Sequence, residues 1–282
     1  MRGLIRAAIA AGCILLPGLA AAQEAALLER GRYLVEVTAA CGNCHTPQGP
    51  QGPIPGQTLA GGFVVVDAPP FRAVASNITQ DPDTGIGRWT DAQIATAIRE
   101  GKRPDGSIIG PPMPFAFYRG LSDQDLAAMV AFLRTVQPIR NEVEKSVYRI
   151  PLPPAYGPPV TSVPPPANDP VSRGAYLAGP VAHCLECHTP MLPNGHNDMS
   201  RLGAGGNAFP GPWGTSVSAN LTPHERGLRD WTDDEIIRAV TQGVSRDDRR
   251  LFPPMAFWAY RNMSRQDLTD LVAYLRSLPP QQ

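Results

Sequence analysis

The chain has 282 residues, and its 25 Lys plus Arg balance its 25 Asp plus Glu, for a formal net charge of zero at pH 7. That balance excludes a standing electrostatic attraction to nucleic acid or to an anionic surface. The length suggests about two domains of ordinary size.

In chain order, the first element is MRGLIRAAIAAGCILLPGLAAAQ, with Arg2 and Arg6 ahead of an apolar run over residues 7–19 and small residues Ala20, Ala21 and Ala22 before Gln23. This reads as a secretory signal peptide, residues 1–22, cleaved near Ala22, which makes the expected location periplasmic. The run is shorter than the ~18–20 apolar residues of an uncleaved membrane anchor. Too little apolar sequence precedes Cys13 for a lipoprotein cleavage box. No later segment is long and apolar enough to cross a membrane.

The stretch AACGNCHTPQG then places Cys41 and Cys44 three apart with His45 directly after, and AHCLECHTP repeats the pattern at Cys184, Cys187 and His188. Outside the cytoplasm four cysteines could form two disulfides, but a disulfide has no use for the histidine. A zinc ribbon spaces its cysteine pairs ~15–20 residues apart, not across more than a hundred. Cys-x-x-Cys-His is the attachment signature of a c-type haem: two thiols become thioethers to the porphyrin, and the adjacent histidine reaches the iron. Two motifs imply two covalently bound haem c groups.

The likeness of the halves extends well beyond these motifs. Gly31-Arg-Tyr-Leu matches Gly174-Ala-Tyr-Leu, Asn77-Ile-Thr matches Asn220-Leu-Thr, and PPMPFAFYRGLSDQDL matches PPMAFWAYRNMSRQDL. Such self-similarity marks a duplicated unit, with one haem domain over residues 23–140 and the other over 171–282. Between them, residues 141–170 are so rich in proline that they read as a semi-rigid connector, part of it lying across the first domain. Within each unit, Thr90 with Gln93 and Thr232 with Glu235 are capping boxes for helices running toward Gly101 and Gly243. Ser122 and Ser264 are N-caps of the last helices, which Pro138 and Pro279 close. Gly and Pro dominate between helices, and no strand alternation is legible. The expected fold is therefore all-α: two tandem small helical domains wrapped by long loops.

The sixth iron ligand decides whether such a protein carries electrons or does chemistry at an open iron. Met113 in GPPMPF and Met255 in FPPMAF occupy matching places, both after Pro-Pro and in loops rather than on helix faces. This pairing favours axial ligation over the core packing usual for methionine. A thioether opposite histidine raises the reduction potential, and Phe115, Phe117, Phe257 and Trp258 are candidates for an apolar wall. His183, His196 and His224 lack counterparts and read as solvent-facing loop residues; Trp89 and Trp231 read as packing residues. Residues 81–85 read as a turn rather than a calcium loop. The Asn77 and Asn220 loops read as polar contacts to the haem edge rather than glycosylation sites. Arg119 and Arg261 are candidate propionate contacts.

The run from NITQDPDTGIGRWTDAQIATAIREG through PPMPFAFYRGLSDQDLAAMVAFLR, with its looser second copy, resembles the cytochrome c subunits of bacterial membrane-bound alcohol and gluconate dehydrogenases. The resemblance covers almost all of both domains. It implies two class I cytochrome c folds, with His45 and Met113, then His188 and Met255, as axial ligands. It also implies a dehydrogenase catalytic subunit as electron donor and a quinone, a cytochrome or a terminal oxidase as acceptor, with no catalysis by this chain alone. Those subunits typically carry three haem domains and a membrane-associating segment. Two haem motifs stand here, so the expectation is membrane association only through a partner. The alternative is a dihaem enzyme, peroxidase-like or thiosulfate-oxidising, with one catalytic haem. A haem-based sensor would need an output domain.

Overall fold

The computed structural model describes residues 17–49, 52–193, 195–211 and 213–282. Most of the expected signal peptide, including Arg2, Arg6 and Cys13, lies outside the described residues. Each half is a core of two crossed terminal helices. In the first, α1 (Pro17–Tyr33) continues into a widened π turn (Leu34–Thr38), followed by the short α2 (Gly42–His45), α3 (Asp91–Glu100), α4 (Phe115–Tyr118) and α5 (Asp123–Leu133). The second repeats this order with α6 (Pro170–Tyr176), a π turn (Leu177–Val181), α7 (Cys184–His188), α8 (Asp233–Gln242), α9 (Phe257–Tyr260) and α10 (Arg265–Ser277).

The helix signals act as their chemistry dictates. Thr90 and Thr232 accept from the backbone N–H of Gln93 and Glu235, whose side chains accept from the Thr backbone in return. Gly101 and Gly243 end α3 and α8 in the left-handed conformation that glycine adopts without strain. Ser122 and Ser264 cap α5 and α10. The terminal helices cross α1 on α5 and α6 on α10, with a glycine at each crossing. A Cβ on Gly31 would stand 1.9 Å from the Ala128 carbonyl oxygen, and one on Gly174 would stand 2.0 Å from that of Asp270. Beside the crossings, Arg30 grips Asp125 and Arg173 grips Asp270, each through two nitrogens.

The all-α expectation is wrong. Seven short strands accompany the helices among the described residues: β1 (Gln48–Gly49) with β2 (Gly52–Pro53), β3 (Val64–Ala68) with β4 (Phe71–Val74) and β5 (Val147–Tyr148), and β6 (Ala208–Gly211) with β7 (Gly214–Val217), all antiparallel. None exceeds 5 residues, and several are built from Gly and Pro, so no period-2 pattern is long enough to read. β5 belongs to the proline-rich stretch, which lies across the first half. Tyr148 packs on Phe71 with ring centroids 5.6 Å apart and donates to the Pro111 carbonyl, while Tyr156 stacks on Phe115 at 4.8 Å. Proline there removes backbone donors, and tyrosine hydroxyls make the contacts to the domain instead.

The two halves are packed into each other. Leu177 and Val181 of the second π turn belong to the apolar core of the first half, beside Tyr118 and Leu121. Val37 and Ala40 of the first π turn and its exit belong to a core with Ala256, Ala259 and Tyr260 of the second half. Full burial of such a valine contributes about 1.5–3 kcal/mol. Each half thus donates the turn that precedes its own Cys-x-x-Cys-His motif to its neighbour.

Candidate functional site

Ala40 and His183, one residue before each motif, take left-handed backbone conformations (φ 47° and 43°), bending the chain so that Cys41 and Cys184 begin a new helical turn. α2 and α7 then carry the second cysteine and the histidine. Thr46 and Thr189, the Thr of each Thr-Pro, are buried and accept from the Leu59 and Gly203 backbone N–H groups at 3.1 and 3.2 Å. This explains why Thr follows both motifs: it pins the exit of the turn.

The histidines are held alike. Nδ1 of His45 lies 2.7 Å from the Ser76 carbonyl oxygen, and Nδ1 of His188 lies 2.7 Å from that of Ala219. A carbonyl accepts, so Nδ1 carries the proton and Nε2 keeps its lone pair. Burial lowers the pKa of both rings, favouring the neutral form that a metal requires.

In the second half, His188, Cys184 and Met255 line one cavity of about 520 Å³, with apolar walls that include Leu228, Trp231, Ile236 and Leu271. In the first half, Cys41 and Met113 pack against one core with Ile94 and Tyr118. Both methionine loops contain a cis Pro-Pro peptide, Pro111–Pro112 and Pro253–Pro254.

The four motif cysteines form no disulfide. Burial pushes the Cys41 and Cys187 thiols up to about 12, and those of Cys44 and Cys184 up to about 11. Such thiols resist becoming the thiolates that zinc demands, and among the described residues no group of three or more His, Cys, Asp or Glu is disposed to hold a metal ion. The surroundings suit uncharged thioethers. In the second half a neutral imidazole nitrogen and a thioether sulfur share an apolar cavity with Cys184, and this donor set fits a haem c group.

The π turns leading into the two motifs pack on each other. The Cys187 thiol senses Cys44, and the Glu186 carboxylate acts on both. His183 is not the solvent-facing loop residue expected: its Nδ1 is 3.1 Å from Glu186, and its ring stands at 88° to that of Tyr118 across the join between halves. Asn43, the Glu186 counterpart, donates to the Pro254 carbonyl and accepts from the Trp258 indole N–H at 3.3 Å. Trp258 therefore covers the first half's attachment turn rather than walling the second cavity.

Other expectations meet mixed outcomes. Asn77 and Asn220 turn inward: each side-chain oxygen accepts from the Thr two residues on, and each amide donates to the backbone after the last helix, at Ile139 and Gln281. Both tie the chain end to its own domain, although Asn220 also lines the second cavity. Arg119 donates to the Pro158 carbonyl and Arg261 is exposed. Arg226, Arg246 and Arg249 come to the second cavity instead. Sequence reasoning missed them because they have no counterparts in the first half. It also missed Tyr118 and Tyr260, buried beside the thiols, whose repeated Tyr-Arg was the available signal. His196 is exposed, His224 accepts from the Arg226 N–H, and Trp89 and Trp231 pack on the cores.

Comparison with known proteins agrees with this geometry. The family profile described as Cytochrome c matches residues 28–137 and again 171–279. The chain is 32% identical over 286 residues to the alcohol dehydrogenase (quinone), cytochrome c subunit of Gluconobacter oxydans, covering 93% of this chain and 57% of that protein. It is 29% identical over 270 residues to the fructose dehydrogenase cytochrome subunit of Gluconobacter japonicus, covering 89% and 52%. It is 32% identical over 251 residues to a diheme cytochrome c-type protein of Cereibacter sphaeroides, covering 85% and 82%. The chain thus spans less than two thirds of the length of the two dehydrogenase subunits.

Proposed function

The chain belongs to the cytochrome c family, and from that premise we propose that it is a periplasmic two-haem electron carrier working beside a dehydrogenase. It would accept electrons from the catalytic subunit and pass them to a quinone, a cytochrome or a terminal oxidase. Relatives named as cytochrome subunits of alcohol, fructose and gluconate dehydrogenases support the donor class. The leader-like residues 1–22 support the location.

The observation that carries this reading is the doubling of the whole donor set. Cys41 and Cys44, then Cys184 and Cys187, would anchor the two groups covalently; His45 and Met113, then His188 and Met255, would supply the donors to each iron. Bound haem c supplies a one-electron ferric–ferrous couple. The chain's residues set its terms. The Ser76 and Ala219 carbonyls fix the tautomer and orientation of the histidines. The methionine thioethers would supply a soft sulfur donor that favours ferrous iron. Apolar walls disfavour the extra charge of the ferric state. A histidine and a methionine donor in each half would leave neither iron open to substrate, which argues for carriage over a dihaem enzyme.

Carbon monoxide tests this on the reduced holoprotein. The wild type should bind none, and Met113→Ala and Met255→Ala should each bind one equivalent. Carbon monoxide binding by the wild type, or none by either variant, would overturn the ligand assignment.

A further inference from the structure

We infer that Tyr33 and Tyr176 are paired positioning residues, crossed latches that lock the two haem-bearing halves in the register at which each attachment turn meets the other half. The inference rests on the two-haem carrier reading above.

The two tyrosines occupy equivalent places, at the ends of α1 and α6, and each reaches out of its own half. The Tyr33 hydroxyl donates to Asp267 Oδ2 at 2.5 Å and accepts from the Ser264 backbone N–H at 2.9 Å. The Tyr176 hydroxyl donates to Asp125 Oδ2 at 2.9 Å and accepts from the Ser122 backbone N–H at 3.0 Å. Each therefore sits on the N-terminal turn of the other half's last helix and engages both the capping serine's N–H and the third residue of that helix. A hydroxyl used as donor and acceptor at once fixes direction as well as distance.

The latches work beside an apolar plug. The π turn directly after each tyrosine enters the other half's core, and the Cys-x-x-Cys-His turn follows it within a few residues. A rotation about the join would move α2 and α7 relative to each other, and with them the contacts of Asn43 with Pro254 and Trp258 and of the His183 ring with Tyr118. Apolar contacts are non-directional and tolerate such sliding; two hydrogen-bonded hydroxyls, one at each end of the crossing, do not. The step they serve moves one electron between two irons, oxidising one and reducing the other, with no proton or co-reactant. The rate of such a step depends on the separation and relative orientation of the two centres, so a loosened register slows it.

The test compares holoproteins of the wild type, Tyr33→Phe, Tyr176→Phe, the double variant and Asp267→Asn. Haem content and optical spectra should be unchanged in all, since the tyrosines touch neither ligand set. In the double variant, the iron–iron distance distribution from pulsed electron paramagnetic resonance of the ferric protein should broaden. Intramolecular electron exchange after flash photoreduction, measured well below the melting temperature, should slow several-fold. Asp267→Asn, whose amide oxygen still accepts from Tyr33, should keep wild-type exchange. A double variant that melts earlier but keeps the wild-type distance distribution and exchange rate would overturn the positioning role and leave the tyrosines merely stabilising. A wild type with no exchange between its haems would instead overturn the two-haem carrier reading itself.

Discussion

Replacing Gly174 by alanine probes the helix crossing on which the second haem site is built. A Cβ there stands 2.0 Å from the Asp270 carbonyl oxygen, 2.6 Å from the carbonyl carbon and 2.7 Å from Tyr274 Cβ. Optimal carbon contacts lie at ~3.5–4.0 Å, so α6 and α10 must part by about 1 Å or more. The obstacle is backbone inside α10, which cannot rotate aside as a side chain would. Overpacking typically costs about 1–3 kcal/mol and occasionally more, and this contact lies at the severe end. Parting the helices also stretches the Arg173–Asp270 pair, whose carboxylate is fully buried. Alanine recovers about 1 kcal/mol of helix propensity over glycine, leaving a net loss of about 2 kcal/mol. In a protein of this size that lowers the Tm by about 3–4 °C. Differential scanning calorimetry of the ferric holoprotein reads this directly. Gly179→Ala is the control, because a Cβ there meets nothing within 4 Å; it should stay within about 0.5 kcal/mol of wild type. If Gly174→Ala melts with the wild type, or no lower than Gly179→Ala, the close-crossing argument fails.

Other outcomes follow from single groups. Thr232→Ala removes half of the capping box on α8 and should cost about 1 kcal/mol in urea unfolding; an unchanged midpoint would deny the cap a role. Burial and the Asp267 carboxylate push the Tyr33 hydroxyl up to about 12, and burial and Asp125 do the same at Tyr176. A raised folded pKa means this stabilisation is complete below the unfolded value near 10 and is lost as the pH rises through the folded value. Wild type should therefore lose stability relative to Tyr33→Phe/Tyr176→Phe between about pH 10 and 12. Parallel stability profiles over that window would contradict the buried latch.

The features legible in the sequence were those with local chemistry. Thr90, Thr232, Ser122 and Ser264 cap helices because a short side-chain oxygen can meet an N–H three residues on. Gly31 and Gly174 stood out as repeats, although only the crossing shows why they must be glycine. The strands were illegible because runs such as Gln48–Gly49 or Ala208–Gly211 carry no alternation and owe their form to hairpin partners. His183 was misjudged because its environment, Tyr118, comes from the other half. The join itself could not be read: a duplicated sequence looks the same whether its units stand apart or exchange turns. Tyr33 and Asp267 meet across 234 positions, a pairing that no local pattern encodes.

The central claim is that both irons are closed by histidine and methionine. Its most direct test is the optical spectrum of the purified ferric protein, with the methionine-to-iron charge-transfer band quantified per haem. Two equivalents per chain are predicted, one lost in Met113→Ala and one in Met255→Ala. One equivalent or none in the wild type would contradict the account and make a substrate-accessible haem the better description.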